Sequence, residues 1–150
     1  MAESKYGKYI CTELKQEVKL RQEKNDRSQR MMEHVIWMDN DVIPGAFYSE
    51  CVWVTPPPEG SPEPANSPGG ATVQPHKHDY DEVLAFFGTN QDDPRELGAE
   101  VELWLGDEKH ILTKSCMVFV PAGLQHCPLR FNRVDRPVFY FTSGPGKMYF

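Results

Sequence analysis

Three histidines and one glutamate stand at spacings that would let them bind one metal ion. His76, His78 and Glu82 lie in the segment QPHKHDYDEV at residues 74–83. Successive side chains of a strand point to opposite faces, so a regular strand would place these three on one face. His126 follows the turn in VPAGLQHC and could supply a third imidazole. The pattern predicts a metal centre, although an H-x-H pair taken alone is equally compatible with a solvated strand face.

The donor types restrict the metal. Imidazole and carboxylate ligands suit one divalent transition-metal ion, Fe(II), Mn(II), Ni(II), Zn(II) or Cu(II), better than Ca²⁺ or Mg²⁺, which prefer oxygen donors throughout. A set of four protein ligands would leave about one or two positions open on a five- or six-coordinate ion. Water or a substrate could bind there, which is the arrangement that metal-assisted catalysis requires.

Two further side chains beside the predicted ligands could take part in binding or catalysis. Tyr80 shares strand parity with His76 and His78 and could donate a hydrogen bond to a bound oxygen. Packing in the core is the alternative for this tyrosine. Gln125 directly precedes His126 and could donate a hydrogen bond into the same pocket.

Arg130 is a third candidate, with two alternative placements. It shares parity with His126 in a regular strand and would then face the same pocket. There its permanent charge would favour an anionic substrate such as a small carboxylic acid. If Pro128 breaks the strand instead, Arg130 would point outward or pair with Glu100 or Glu102.

The elements that must position these residues are short strands. Only 39% of the 150 residues are apolar and 13 are proline, which favours a turn-rich β protein over a helical bundle. Strands are predicted at 34–38, 46–54, 72–78, 82–87, 99–105, 108–112, 116–120, 127–131 and 137–142. Such a series predicts an all-β sandwich or barrel. We expect the large aromatic residues of these segments to fill it, namely Trp53, Phe86, Phe87 and Trp104.

Two segments fall outside this pattern. Residues 1–33 are predicted to form an N-terminal arm, ahead of a single barrel domain at 34–150. The arm is dense in charge and in helix formers from residue 12 onward, so we expect a short exposed helix or an irregular segment. Residues 55–70, TPPPEGSPEPANSPGG, hold six prolines and three glycines, which predicts a long surface loop.

The histidine segment resembles the first motif of the cupin superfamily. That motif runs glycine, five residues, H-x-H, three or four residues, glutamate, six residues, glycine. Here Gly70, His76, His78 and Glu82 match, and Gly88 arrives one residue early.

The later turn resembles the second cupin motif. That motif runs glycine, five residues, P-x-G, two residues, histidine, three residues, asparagine. Here Pro121, Gly123 and His126 match, whereas Ser115 replaces the first glycine and Arg130 replaces the asparagine.

The resemblance covers roughly residues 70–142 and implies a cupin-type jelly-roll β-barrel. It also implies that His76, His78, Glu82 and His126 hold one divalent transition-metal ion. In the family, extra N-terminal strands often build a dimer interface, so the resemblance implies a homodimer.

Two functions remain open on this reading. The first is a metal-dependent cupin enzyme that acts on a small organic molecule, as an oxygenase, isomerase, lyase or decarboxylase. The second is a non-catalytic cupin in which the metal anchors a small ligand. We favour the enzyme, because holding the barrel together does not need a complete set of four ligands.

Charge and hydropathy argue against a nucleic-acid-binding, membrane or secreted protein. The formal net charge is −6 and no basic stripe is present, which argues against nucleic acid and anionic membranes as partners. No apolar run approaches the roughly 20 residues that cross a bilayer. The N-terminus lacks the apolar stretch of a secretory signal. We therefore expect a cytoplasmic protein whose four cysteines are reduced and do not bind the metal.

Overall fold

The computed structural model describes residues 4–24, 31–57 and 73–145. A 3-10 turn at Gly7–Tyr9 and helix α1 at Gln16–Glu23 precede the strands. The strands in these ranges are β1 Met32–Met38, β2 Tyr48–Val54, β3 Glu82–Phe87, β4 Glu96–Leu105, β5 Glu108–Lys114, β6 Cys116–Val120, β7 His126–Val134 and β8 Val138–Gly144.

The strands form two antiparallel sheets. The larger sheet has the order β1-β2-β8-β3-β6, and the smaller has the order β5-β4-β7. Apolar side chains from both inner faces build one core, in which Val52, Phe86, Val101 and Leu129 are fully buried. The all-β jelly-roll fold of two antiparallel sheets that the sequence predicts is confirmed.

The strand expected at 72–78 is an exception to this agreement. Within the described residues 73–78, only two isolated bridges form, between Val73 and Leu129 and between His76 and His126. Pro75 lies between the two bridges and has no N–H to donate, so a continuous ladder cannot form there. The prediction of a regular strand in this segment is wrong.

The N-terminal arm contains a short helix, which is one of the two alternatives that its composition left open. Helix α1 is polar, and Val18 is its buried residue. Val18 packs in a small second cluster with Trp37 of β1 and Tyr48 of β2. Strand β1 begins at Met32, so regular sheet structure starts within the predicted 1–33 arm.

Other predictions about the chain have mixed outcomes. Of the predicted surface loop at 55–70, residues 58–70 lie outside the described residues. The four cysteines are free, as expected. None of the helical segments in the described part of the chain has the length and apolarity needed to cross a membrane.

The expectation that four aromatic residues fill the barrel holds only for Phe86. Trp53 is 38% exposed and Phe87 is 41% exposed, because both occupy outward positions of their strands. Trp104 is half-buried and outward on β4, where its Nε1 donates a hydrogen bond to Glu102 at 3.0 Å. The larger sheet therefore carries aromatic side chains on both faces.

Candidate metal centre

Three histidines from two distant segments meet at the edge of the smaller sheet. His126 is the first residue of β7, and His76 lies on the segment beside it. Their backbones exchange two hydrogen bonds, of 3.0 Å from His76 N and 2.9 Å from His126 N. The possible ligand atoms of His76, His78 and His126 all lie within 4.8 Å of one another. This cluster could hold a metal ion.

Each of the three imidazoles is oriented by a backbone carbonyl. His76 Nδ1 lies 2.7 Å from Gln74 O, and His78 Nδ1 lies 3.0 Å from Tyr80 O. His126 Nδ1 lies 3.0 Å from the carbonyl oxygen of Leu124. A carbonyl oxygen only accepts, so Nδ1 must carry the proton in all three rings. The lone pair therefore resides on Nε2, the nitrogen that a metal would bind.

The Nε2 atom of His126 needs a partner. It is buried, and no hydrogen-bond partner for it exists among the described residues. Burial lowers the pKa of His126 to about 4, and the neighbouring His76 and His78 act in the same direction, against the raising effect of the Leu124 carbonyl. The imidazole is therefore neutral near pH 7, which is the form that binds a metal.

Glu82 of the larger sheet lies beside one of the three histidines. It is the first residue of β3 and is buried. One of its carboxylate oxygens lies 2.6 Å from His78 Nε2. Because the Nδ1 proton of His78 is already used, this approach requires either a doubly protonated imidazole or a cation that both atoms bind. The donor set thus fits the divalent ion that the sequence predicts.

The turn after β6 fastens the histidine segment in place. Gly123 N donates to His78 O at 2.9 Å, and Ala122 N donates to the Asp81 carboxylate at 2.9 Å. Gly144 of β8 allows a close approach, since a Cβ atom there would lie 2.7 Å from Asp81 O. The sequence analysis did not single out Asp81 or Gly144 for the site. Their contacts join segments far apart along the chain, which no local pattern marks.

Tyr80 lies against His78, although residues 73–81 do not form the regular strand on which its predicted orientation was based. Its ring stacks on His78 with the centroids 4.1 Å apart and the planes 4° from parallel. Burial raises the pKa of Tyr80 to about 12, and Glu82 and Asp79 add to this effect. The hydroxyl therefore stays protonated and able to donate near neutral pH.

Gln125 and Arg130 are not brought to the cluster. The Gln125 side chain is exposed. The backbone carbonyl of Gln125 accepts a hydrogen bond from Gly106 N. Arg130 alternates with Leu129 and Phe131, both buried in the core, so it points to the outer face of β7 opposite Glu102.

The parity argument for Arg130 fails for a structural reason. Cys127 has a φ of 73°, in the left-handed region, and the pairing of β7 with β4 shifts in register at this point. His126 and Leu129 consequently both face inward, three positions apart. The outward placement, near Glu102, is the alternative that the structure supports.

The solved structures that match this chain include two whose names call them cupins. An RmlC-like cupin from Shewanella frigidimarina is 14% identical, over 77% of this chain and 76% of its own, with a TM-score of 0.43. KdgF from a Halomonas species is 13% identical, over 77% of this chain and 78% of its own, with a TM-score of 0.43. A sugar phosphate isomerase of the cupin superfamily from Silicibacter pomeroyi is 15% identical, over 80% of this chain and 62% of its own, with a TM-score of 0.47.

These likenesses are of fold, at identities too low to transfer an activity. No protein-family model matches the chain, and the search among curated proteins found no match.

Proposed function

We propose that this protein is a metal-dependent cupin enzyme that acts on a small organic molecule. The proposed ligands are His76, His78, Glu82 and His126. The observation that carries the proposal is that the possible ligand atoms of the three imidazoles lie within 4.8 Å of one another while each ring has its Nδ1 on a backbone carbonyl. Ordinary surface or core histidines have no reason to share both features.

The donor set supports a transition metal over a purely oxygen-binding ion. Neutral imidazoles and one carboxylate suit Fe(II), Mn(II), Ni(II), Zn(II) or Cu(II). When bound, such an ion would supply an open coordination position that polarises a substrate oxygen or, for a redox metal, supports electron transfer. The chain itself holds the Nδ1 protons in place and keeps the His126 imidazole neutral.

Burial around the cluster suggests how a ligand would reach it. Glu82 is 1% exposed and His126 is 0% exposed, whereas His76 and His78 are partly exposed. The buried pair would form the floor of the site and the two partly exposed histidines its open side. Such a site suits a small molecule that enters between His76 and His78.

Metal analysis of anaerobically purified protein tests the site. We expect about one transition-metal ion per chain. His76→Ala, His78→Ala and His126→Ala should each lose most of the metal, because each removes one ligand. His110→Ala is the matched control, since His110 lies on β5 with its side chain 42% exposed. Full occupancy in any two of the three ligand variants would refute the assignment.

A second experiment separates the enzyme from the non-catalytic alternative. Protein reconstituted with each ion is incubated with small carboxylic acids, hydroxy acids and sugars, and products are followed by mass spectrometry. If the protein is an enzyme, we expect metal-dependent turnover that His126→Ala abolishes and His110→Ala preserves. Saturable binding of one compound, without turnover under any metal, would favour a metal-anchored binding protein instead.

A further inference from the structure

A chain of polar side chains connects helix α1 to the inner side of the larger sheet. It runs from Gln22 of α1 through His34 of β1 and Glu50 of β2 to the buried hydroxyls of Tyr48 and Thr142. None of these residues belongs to the proposed metal ligands. Hydrogen bonds and one ion pair, rather than apolar packing, therefore hold this part of the helix against the strands.

Gln22 binds the backbone of β1 at His34. Strand β1 is the edge strand of the larger sheet, so one side of it has no neighbouring strand. Gln22 Oε1 accepts a hydrogen bond from His34 N at 2.7 Å, and Gln22 Nε2 donates one to His34 O at 3.3 Å. The two bonds together fix which end of the side-chain amide is the oxygen.

Both nitrogens of the His34 ring face acceptors. Nδ1 lies 3.3 Å from Gln22 Oε1, and Nε2 lies 3.0 Å from a carboxylate oxygen of Glu50. An amide oxygen and an ionised carboxylate only accept, so each ring nitrogen must donate for both contacts to be hydrogen bonds. The geometry therefore suits the imidazolium form of His34, with a proton on each nitrogen.

The buried end of the network keeps Glu50 in the role of an acceptor. Its other carboxylate oxygen accepts from the Tyr48 hydroxyl at 2.8 Å, and that hydroxyl accepts from Thr142 Oγ1 at 2.9 Å. Burial raises the pKa of Tyr48, and the charge of Glu50 adds to this effect, so the phenol remains a donor. The Glu50 side chain is only 12% exposed, which makes a cationic partner for it valuable.

The other charged groups near this contact are mostly acidic. Glu33 precedes His34 on β1 and lines a groove along α1 that also contains Gln22. The remaining charged side chains of that groove are Glu13, Lys19 and Glu23. Lys19 is thus the one cation among the groove-lining residues, and a positive charge on the His34 ring is surrounded mainly by carboxylates.

We propose that Gln22, His34 and Glu50 form a pH-sensitive latch that holds the C-terminal turn of α1 while the His34 ring carries both protons. Histidine side chains lose the second proton between about pH 5 and pH 8. A neutral ring keeps its proton on Nε2, because the Glu50 carboxylate is the stronger acceptor. Nδ1 then turns a lone pair toward Gln22 Oε1, and the two acceptors repel each other. The latch is therefore closed at low pH and loosens as the pH rises.

The opposite end of α1 does not respond over the same range. Lys15 Nζ donates to the Asp39 carboxylate at 2.9 Å there. Burial lowers the pKa of Lys15, but its hydrogen bonds to Asp39 and Asp41 outweigh burial and raise it above the ordinary 10.5. The pKa of Asp39 stays below its ordinary 3.8, so both groups remain charged between about pH 5 and pH 8. Loosening is thus confined to the Gln22 end, and the helix stays attached at its beginning.

Hydrogen exchange of the His34 backbone amide, followed by NMR, tests the latch. This amide donates to Gln22, so its protection reports how often that contact opens. After correction for the intrinsic pH dependence of exchange, we expect protection to fall about fivefold from about pH 5 to pH 8, as loss of one hydrogen bond implies. The amide of Lys19, which donates to Lys15 O in the first turn, should keep its protection.

Three variants separate the latch from general effects of pH. His34→Gln cannot gain a charge and should show no pH dependence at this amide. Gln22→Ala removes the acceptor and should lower protection at both pH values alike. The matched control is His110→Gln on β5, which should behave as the native chain does. Circular dichroism establishes that each variant is folded, and none of these measurements requires a bound metal.

The nitrogen chemical shifts of the His34 ring provide a second, independent measurement on the native chain. We expect both ring nitrogens to be protonated near pH 5 and only Nε2 near pH 8. A ring with a single proton near pH 5 would overturn the latch. Equal protection of the His34 amide at both pH values in the native chain would overturn it as well. Persistence of the full pH dependence in His34→Gln would assign the effect to another group and refute the proposal.

Discussion

The backbone carbonyls beside the three histidines organise the site at the level of single residues. Each carbonyl belongs to a residue two positions away in sequence, so the contact forms as soon as the local backbone is folded. The rings are thereby held in the tautomer that suits metal binding without help from a bound ion. Partners of this kind commonly decide how tightly a metal is held.

The ring of Tyr80 should add to this orientation through its stack on His78. Tyr80→Leu removes an aromatic contact of about 0.5–1.5 kcal/mol, which corresponds to a roughly two- to twelvefold loss of metal affinity in a chelator competition titration. Tyr80→Phe keeps the ring and should bind the metal as the native protein does. The effect is modest because the backbone carbonyl of Tyr80, which both variants retain, still holds His78.

The two Tyr80 variants also test the hydroxyl. If Tyr80→Phe lost as much metal affinity as Tyr80→Leu, the hydroxyl rather than the ring would support the site. If both variants bound metal normally but Tyr80→Phe lost binding of a small ligand, the hydroxyl would instead contact that ligand, as the sequence analysis considered.

At the scale of elements, one buried carboxylate fastens helix α1 to the sheet. Asp39 follows β1 and is 2% exposed. Lys15 Nζ and Trp37 Nε1 each donate to it at 2.9 Å. Its other oxygen accepts from the backbone N–H groups of Asp41 and Val42. At the other end of the helix, the side-chain oxygen of Gln22 accepts a hydrogen bond from His34 N of β1 at 2.7 Å, so polar contacts hold both ends of the polar helix on the sheet.

Asp39→Asn should lower the free energy of unfolding by about 1–3 kcal/mol at pH 7, because the buried Lys15 contact loses its charged partner. Burial alone would raise the pKa of Asp39, but the hydrogen bonds from Lys15 and Trp37 outweigh it and hold the pKa below the ordinary 3.8. The stabilisation is therefore complete above about pH 4 and is lost as the pH falls through the folded-state value.

Urea unfolding from about pH 7 down to about pH 2 measures this dependence. The difference between native protein and Asp39→Asn should narrow below about pH 4. Asp107→Asn, in the exposed turn after β4, is the control and should leave stability unchanged. If the free energies of unfolding of the native protein and Asp39→Asn differed by the same amount at both ends of the pH range, the charge of Asp39 would not be the cause of the difference.

For the whole molecule, the core and the metal site are expected to be separable. The core between the two sheets consists of apolar side chains and needs no ion to form. Chelation should therefore leave the protein folded, unlike a small domain that depends on its metal. A metal that binds the folded chain should nevertheless raise its melting temperature.

At a free metal concentration about a hundredfold above the dissociation constant, the gain is about 2.7 kcal/mol. For a chain of this size that gain corresponds to a rise of roughly 5–10 °C. Scanning calorimetry of chelator-treated protein, with and without added metal, measures it. His110→Ala should respond like the native chain and His126→Ala should not. Unfolding on chelation alone would contradict the separation of core and site.

The sequence alone determined the fold class and the identity of the clustered histidines. Strand-forming segments between turn residues indicated an all-β protein, because alternation and turn chemistry act over a few residues. The spacing in H-x-H and the histidine after the Pro-x-Gly turn resembled two known motifs, which predicted that segments near residues 76 and 126 would meet.

Tertiary structure decided how the side chains reach their places. The sequence analysis predicted that His76 and His78 converge because they alternate along a regular strand. That reason is wrong, since their segment forms isolated bridges on either side of Pro75. The same alternation misplaced Arg130, because Cys127 adopts a left-handed conformation and shifts the register. Alternate residues share one face of a strand only where the strand pairs regularly with its neighbours. Register shifts depend on contacts with strands that are far away along the chain, so a local pattern does not reveal them.

The aromatic residues show the same limit. Sequence alone does not distinguish an aromatic side chain that fills the core, such as Phe86, from its outward neighbour Phe87. Both suit a strand, and hydrophobicity favours burial of each. Only the position of the second sheet decides which face becomes the core. That position is set by the pairing of all the strands, so it cannot be read from the segment that holds Phe86 and Phe87.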